Sequence, residues 1–133
     1  MKIVVGYHGS DHARRALERA ADVANPGDEI LVVGAVEPKL ESGPTSGAHQ
    51  DPSEAEHRRK NLEDAQAFLA ERGYEAETAE AYGDPGSAIV DAAKGADLIV
   101  VGSRGRNTLE RLLLGSVSSK VVHRAEADVL VVR

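Results

Sequence analysis

A chain of 133 residues and 14.1 kDa has the size of one compact domain and leaves no room for a separate catalytic one. Its 22 acidic and 16 basic residues leave a net charge of −6, spread along the chain, which disfavours a nucleic-acid backbone as ligand. No apolar run nears the ~20 residues that span a bilayer, and zero cysteines exclude disulfides, thiol nucleophiles and Cys-ligated metals.

Met1 leads within six residues into a first strand, Ile3 to Gly6, with no signal peptide, so a soluble, cytoplasmic protein is expected. Asp11 to Ala24 then places Ala13, Ala16, Leu17, Ala20 and Ala24 at helical spacing, and Pro26-Gly27 stops that helix. Ile30 to Val36 is the second strand. The stretch from Pro38 to Gln50 is polar, rich in Gly, Pro and Ser and without periodicity. It is read as a mobile connector, with a lid over a ligand as the alternative. Asp51-Pro52-Ser53-Glu54 has the form of a capping box with Pro at the first helical position. The helix it opens turns Leu62, Ala65 and Leu69 inward and ends at Gly73. Glu75 to Tyr82 is the third strand. Pro85 to Lys94 forms a short helix that buries Ile89 and Ala92 and is closed by Gly95, followed by a fourth strand, Asp97 to Gly102. A last helix, Ser116 to about Arg124, carries Val117 and Val121, and Asp128 to Val132 is the fifth strand.

Four of the five strands carry continuous aliphatic runs (IVV, ILVV, LIVV, VLVV), the mark of strands covered on both faces. Aromatic residues make up only 3%, so Val, Ile, Leu and Ala must fill the core, and no aromatic platform for base stacking is offered. Strands alternating with four helices predict an α/β fold, a doubly wound five-stranded parallel sheet with right-handed crossovers.

In such a sheet the ligand sits beyond the carboxyl ends of the strands. Two loops leave strands at glycine and enter helices. The first is Gly6-Tyr7-His8-Gly9-Ser10. The second runs from Gly102-Ser103-Arg104-Gly105 through Arg106, Asn107, Thr108, Leu109, Glu110 and Arg111 to Leu114-Gly115-Ser116. Gly102 permits a sharp turn as the strand ends, and Gly105 permits positive φ or close approach of a phosphate to bare main chain. Gly115-Ser116 opens a helix whose first N–H groups are unpaired, a ready anion site to which the Ser116, Ser118 and Ser119 hydroxyls can add hydrogen bonds. Arg104, Arg106, Arg111 and Lys120 supply local positive charge. The combination suits a di- or triphosphate. It is neither a GxxxxGK[ST] P-loop nor a GxGxxG dinucleotide fingerprint, and His8, His12, His49, His57 and His123 lack zinc-site spacing.

The run VVGSRGRNTLERLLLGSVSSKVV, the terminal ADVLVVR, the start KIVVGYHGSDHARRALERA and the central AYGDPGSAIVDAAKGADLIVVG together resemble universal stress proteins of the ATP-binding type. That family's motif of Gly, two residues, Gly, nine residues, Gly and Ser or Thr falls on Gly102, Gly105, Gly115 and Ser116. The resemblance covers the chain except the segment from Pro38 to Gln50. It implies one universal stress protein domain over residues 1–133. Its layering would be Rossmann-like, of the adenine nucleotide alpha hydrolase kind, with strand order 3-2-1-4-5, which sets both loops at the switch point between the first and fourth strands. It further implies ATP, with or without Mg, as ligand. The phosphates and ribose would be held at Gly102, Arg104, Gly105, Gly115, Ser116, Val117 and Ser118, and the adenosine near Tyr7, His8, Gly9 and Ala35. His8 departs from the family, which usually carries Asp there. A carboxylate accepts hydrogen bonds from a nucleoside, whereas a neutral imidazole offers one donor and one acceptor. The alternative role of His8 is to cap the helix that follows; His12, His49, His57 and His123 read as solvated or loop residues.

Efficient ATP turnover needs a group that positions water, and usually a metal. Glu110 reads as an exposed loop charge. Asp11 and Asp84 stand near strand ends, where each is a candidate for magnesium or for a helix cap. The expectation is therefore nucleotide binding in a stress-response sensor or regulator, with slow hydrolysis or self-phosphorylation at Ser116 left open. A nucleotide-independent interaction protein is the alternative. The apolar edge strand Val129 to Val132 predicts a homodimer joined along it.

Overall fold

A computed structural model describes residues 1–36, 39–40, 48–49, 52–103 and 114–133. The chain runs β1 (Lys2–Gly6), α1 (Asp11–Val23), β2 (Glu29–Val36), β3 (Lys39–Leu40), β4 (Ala48–His49), α2 (Pro52–Glu71), β5 (Ala76–Tyr82), α3 (Pro85–Ala92), β6 (Leu98–Gly102), α4 (Ser116–Arg124) and β7 (Asp128–Val132). Five strands form one parallel sheet in the order β5-β2-β1-β6-β7, the predicted 3-2-1-4-5 arrangement once the two short strands are set aside. Among the described residues no helix is long and apolar enough to cross a membrane.

Each aliphatic run splits its side chains between two layers. Ile3 and Val5 of β1, Ile30 and Val32 of β2 and Val100 of β6 meet α1 and α2 through Ala13, Ala16, Leu17, Leu62 and Leu69. On the opposite face Val4, Val33, Ile99 and Val101 meet α3 and α4 through Ile89, Ala93 and Val121. This double coverage is why the strands read as unbroken aliphatic runs. Alanine dominates the inner stripe of α1, which lets that helix lie close against the sheet.

The helix ends follow local chemistry. Ser10 caps α1 by accepting from the Ala13 N–H at 3.2 Å, and Gly27 turns the chain with φ +92°. Gly73, at φ +87°, ends α2, and Gly95, at φ +83°, turns the chain toward β6. The Tyr74 hydroxyl donates to the Ala24 carbonyl at 2.8 Å, tying the exit of α2 to the exit of α1.

Two expectations need correction. The segment 38–50, read as irregular, includes a short antiparallel ladder in which Lys39 pairs with His49 and Leu40 with Ala48. Strands of two residues are too short to show any alternation. The third helix stops at Ala92, which is half-buried against the core, and Ala93 just beyond it is buried there. The Ala93 N–H is shared between the Ile89 and Val90 carbonyls, which tightens the last turn, and Ala93 lies one turn beyond Ile89 on the core-facing side. Asp51 of the predicted capping box lies outside the described residues; the helix does begin at Pro52.

Candidate functional site

β1 and β6 are direct neighbours, pairing Ile3 with Leu98, Val4 with Ile99 and Val5 with Val100. From β1 the chain leaves through α1 toward β2, and from β6 it leaves through α4 toward β7, on the other side. The two connections therefore diverge and open a crevice at the carboxyl ends of these strands.

At this crevice Gly102 has a different task from the one its sequence suggests. Its φ is not in the left-handed region, so no special turn is required. A Cβ on Gly102 would instead lie 2.9 Å from the backbone C and O of His12, in the first turn of α1. Only a residue without a side chain lets α1 start this close to β6.

Beyond Gly102 stands Ser103, a buried residue. Its N–H donates to the Val132 carbonyl at 2.7 Å, and its own carbonyl accepts from the Gly115 N–H at 2.7 Å. The Ser118 hydroxyl lies 3.1 Å from both the Ser103 and the Gly115 carbonyl oxygens. The flanks of segment 104–113 are thus joined directly. Arg104, Gly105, Arg106 and Arg111 belong to that segment and lie outside the described residues.

Gly115 is the N-cap of α4, extended at φ −64° and ψ 164°, and no side chain among the described residues caps the helix. Its carbonyl accepts the first helical bond, from the Ser119 N–H at 3.0 Å. The amide groups of the first turn point out of the helix, where their partial positive charge attracts an anion. Ser116 is exposed at this end, Val117 is half-buried and Ser118 is buried.

On the β1 side the Tyr7 N–H donates to the Val33 carbonyl at 2.9 Å, and Tyr7 is buried. His8 is exposed, with Nε2 3.3 Å from Ser10 Oγ. Capping of α1 belongs to Ser10 and not to His8. Gly9 has φ +84°, a conformation that favours glycine, and a Cβ there would fall 2.7 Å from the Asn61 side-chain nitrogen. Asn61, on α2, also donates weakly to the His8 carbonyl at 3.5 Å. Ala35 is half-buried in β2, two residues beyond Val33, the partner of Gly6. Tyr7, His8, Gly9 and Ala35 therefore share the same end of the sheet with Gly102 and Gly115.

Lys120 does not stand free as a charge for phosphate. Its stem lies over Gly86 of α3, where a Cβ would be 2.8 Å from Lys120 Cβ, and its Nζ meets Asp84 Oδ2 at 2.7 Å. Asp84 is the N-cap of α3 and accepts from the Ser87 N–H at 3.1 Å. The Lys120 ammonium, and then the Ser87 N–H, hold its carboxyl below the usual range. Asp11 sits in the first turn of α1. Among the described residues no group of three or more His, Cys, Asp or Glu side chains could hold a metal ion. His12, read as solvated, is half-buried, and its Nδ1 has no hydrogen-bond partner among the described residues.

Ser103, present in the second loop but given no role there, and Asn61 have parts in the site that the sequence does not announce. Asn61 carries no local signal at all, being one polar residue in a polar helix. Ser103 is a small polar residue directly after an aliphatic strand, a weak hint that its backbone is buried.

The pattern of the Universal stress protein family matches residues 1–133. Universal stress protein YxiE of Bacillus subtilis is 36% identical, covering 99% of this chain and 98% of that protein. A universal stress protein of Thermus aquaticus is 40% identical, with 98% and 97% covered. Among solved structures, universal stress protein UspA from Lactobacillus plantarum superposes with a TM-score of 0.80 at 28% identity, covering 100% of this chain and 97% of that one. A universal stress protein in complex with cAMP gives a TM-score of 0.70 at 28% identity, over 100% and 97% of the chains. That of Archaeoglobus fulgidus in complex with dAMP gives 0.74 at 27%, over 100% and 98%. With its fold, its strand order and its full length all matched, the chain belongs to the universal stress protein family.

Proposed function

We propose that this protein binds an adenine nucleotide, ATP in particular, across the carboxyl ends of β1 and β6, and works as a stress-linked nucleotide sensor or regulator. The observation that carries this reading is the start of α4 at Gly115, without a side-chain cap among the described residues and tied beside the end of β6. Gly102, Arg104, Gly105, Gly115, Ser116 and Val117 would take the phosphates and ribose, and Tyr7, His8, Gly9 and Ala35 the adenosine. The adenine nucleotides held by two relatives of the same fold support the ligand class. Magnesium would arrive with the phosphate oxygens, since Asp84 is already engaged by Lys120. The reading is one of binding; any transfer of phosphate to the exposed Ser116 would be slow.

The same reading takes residues 1–133 as one domain, located in the cytoplasm and paired as a homodimer along β7. That strand is a sheet edge whose Val129, Leu130 and Val131 are half-buried, whereas the other edge, β5, exposes Glu77, Thr78 and Glu80. An apolar edge favours a second copy; a polar one discourages it.

Mass spectrometry of small molecules released from freshly purified protein, followed by calorimetric titration with ATP, ADP, AMP and cyclic AMP with and without magnesium, tests the proposal. Co-purifying or micromolar ATP supports it. Failure of every adenine nucleotide at millimolar concentration overturns it and leaves a protein-interaction role.

A further inference from the structure

We infer that Ser118 is a positioning residue for phosphate recognition, acting through the backbone of Ser103 rather than by touching the ligand; this rests on the nucleotide-binding reading above. Ser118 is 1% exposed, and its hydroxyl shares one proton between the Ser103 and Gly115 carbonyls, both at 3.1 Å. That proton is not available to a ligand.

The Ser103 carbonyl has two lone pairs, one filled by the Gly115 N–H and the other by Ser118 Oγ. The Ser103 N–H is bound to Val132, at the end of β7. Ser103 is thereby held at the sheet, and Gly115 and Ser118 are both held to Ser103. Ser118 lies three residues inside the helix, so its hydroxyl fixes the first turn of α4 from the buried side. Two anchors, one at Gly115 and one at Ser118, set the direction of the first-turn amides; a single anchor at Gly115 would leave the turn free to pivot. Amides aimed in advance bind an anion without first losing that freedom.

The role is separable from a general structural one, and from direct contact, by comparing ligands that differ only in phosphate. Full-length wild type, Ser118→Ala and Ser118→Cys are titrated with ATP and with adenosine by NMR, and amide exchange at Gly115 is followed without ligand. The cysteine variant keeps a donor on the same stem, but its sulfur is larger than the serine oxygen and donates only weakly. The expected result for Ser118→Ala is ATP binding weakened about tenfold, the factor one buried hydrogen bond commands, with adenosine affinity unchanged. Exchange at Gly115 should quicken by a similar factor, and Ser118→Cys should fall between wild type and alanine. Equal weakening of both ligands, unchanged ATP affinity in either variant, or unchanged Gly115 exchange each overturn the inference. Wild type that binds no adenine nucleotide overturns the parent reading and this one with it.

Discussion

Lys120 and Asp84 meet at 2.7 Å across the seam between α4 and α3, and the stem of Lys120 fills the space left by Gly86. The carboxylate has two jobs, pairing with an ammonium group and capping α3 through the Ser87 N–H. Both favour its charged form.

Asp84→Ala should therefore destabilise the fold by about 1 kcal/mol, chiefly through the lost cap. Lys120→Met keeps the stem over Gly86 and should cost less, because an exposed pair is worth at most ~1 kcal/mol. The carboxyl's folded pKa lies below its ordinary value of 3.8, so its contribution is complete above that value and is lost as pH falls through the folded pKa. Urea denaturation of wild type and Asp84→Asn across the acid range should show the two stabilities converging below that value. A difference that persists unchanged there would refute the assignment.

Gly102→Ala tests the close approach of α1 to β6. The new Cβ would sit 2.9 Å from backbone atoms of His12, which cannot swing aside as a side chain can. A loss of about 1–3 kcal/mol in chemical denaturation is expected, the usual cost of overpacking, with nucleotide affinity reduced as the crevice widens.

At Gly9 two costs can be separated. Gly9→Ala forces alanine into φ +84° and drives its Cβ into the Asn61 amide. The backbone part is worth roughly 1–2 kcal/mol and should persist in the Gly9→Ala, Asn61→Ala double variant. Only the steric part should be recovered, so the double variant should be more stable than the sum of the single effects allows.

His8→Asp should tighten ATP binding by about tenfold, because a carboxylate accepts nucleoside hydrogen bonds that an imidazole accepts at only one nitrogen. His8 is exposed and does not cap α1, so the exchange should leave stability nearly unchanged. Equal or weaker ATP affinity, measured by calorimetry, would show that His8 does not limit binding.

Light scattering at micromolar concentration should give the mass of two chains. A monomer would rule out pairing along β7.

Much of this architecture is legible from residue order alone. Aliphatic runs mark β1, β2, β6 and β7 to within a residue, because a strand covered on both faces has no polar position to interrupt it. Gly27, Gly73 and Gly95 mark the ends of helical segments, because the left-handed turns they adopt are costly for other residues. The pairing of Lys39 with His49 was not legible, since a ladder of two rungs leaves no period.

What the residues by themselves determined is the five strands of the main sheet and the four helices, their alternation, and the two glycine-bearing loops at one end of the sheet. These follow from local periodicity and local backbone preference, which act over a few neighbours. What only the tertiary structure decided is the task of each residue in those loops. Gly102 is needed for the backbone of His12, Lys120 answers Asp84, and Ser118 turns inward to Ser103. Their partners lie 90, 36 and 15 residues away in the chain, the first being Gly102 less His12. No local rule specifies such a neighbour; close packing of the completed sheet and helices brings it into place.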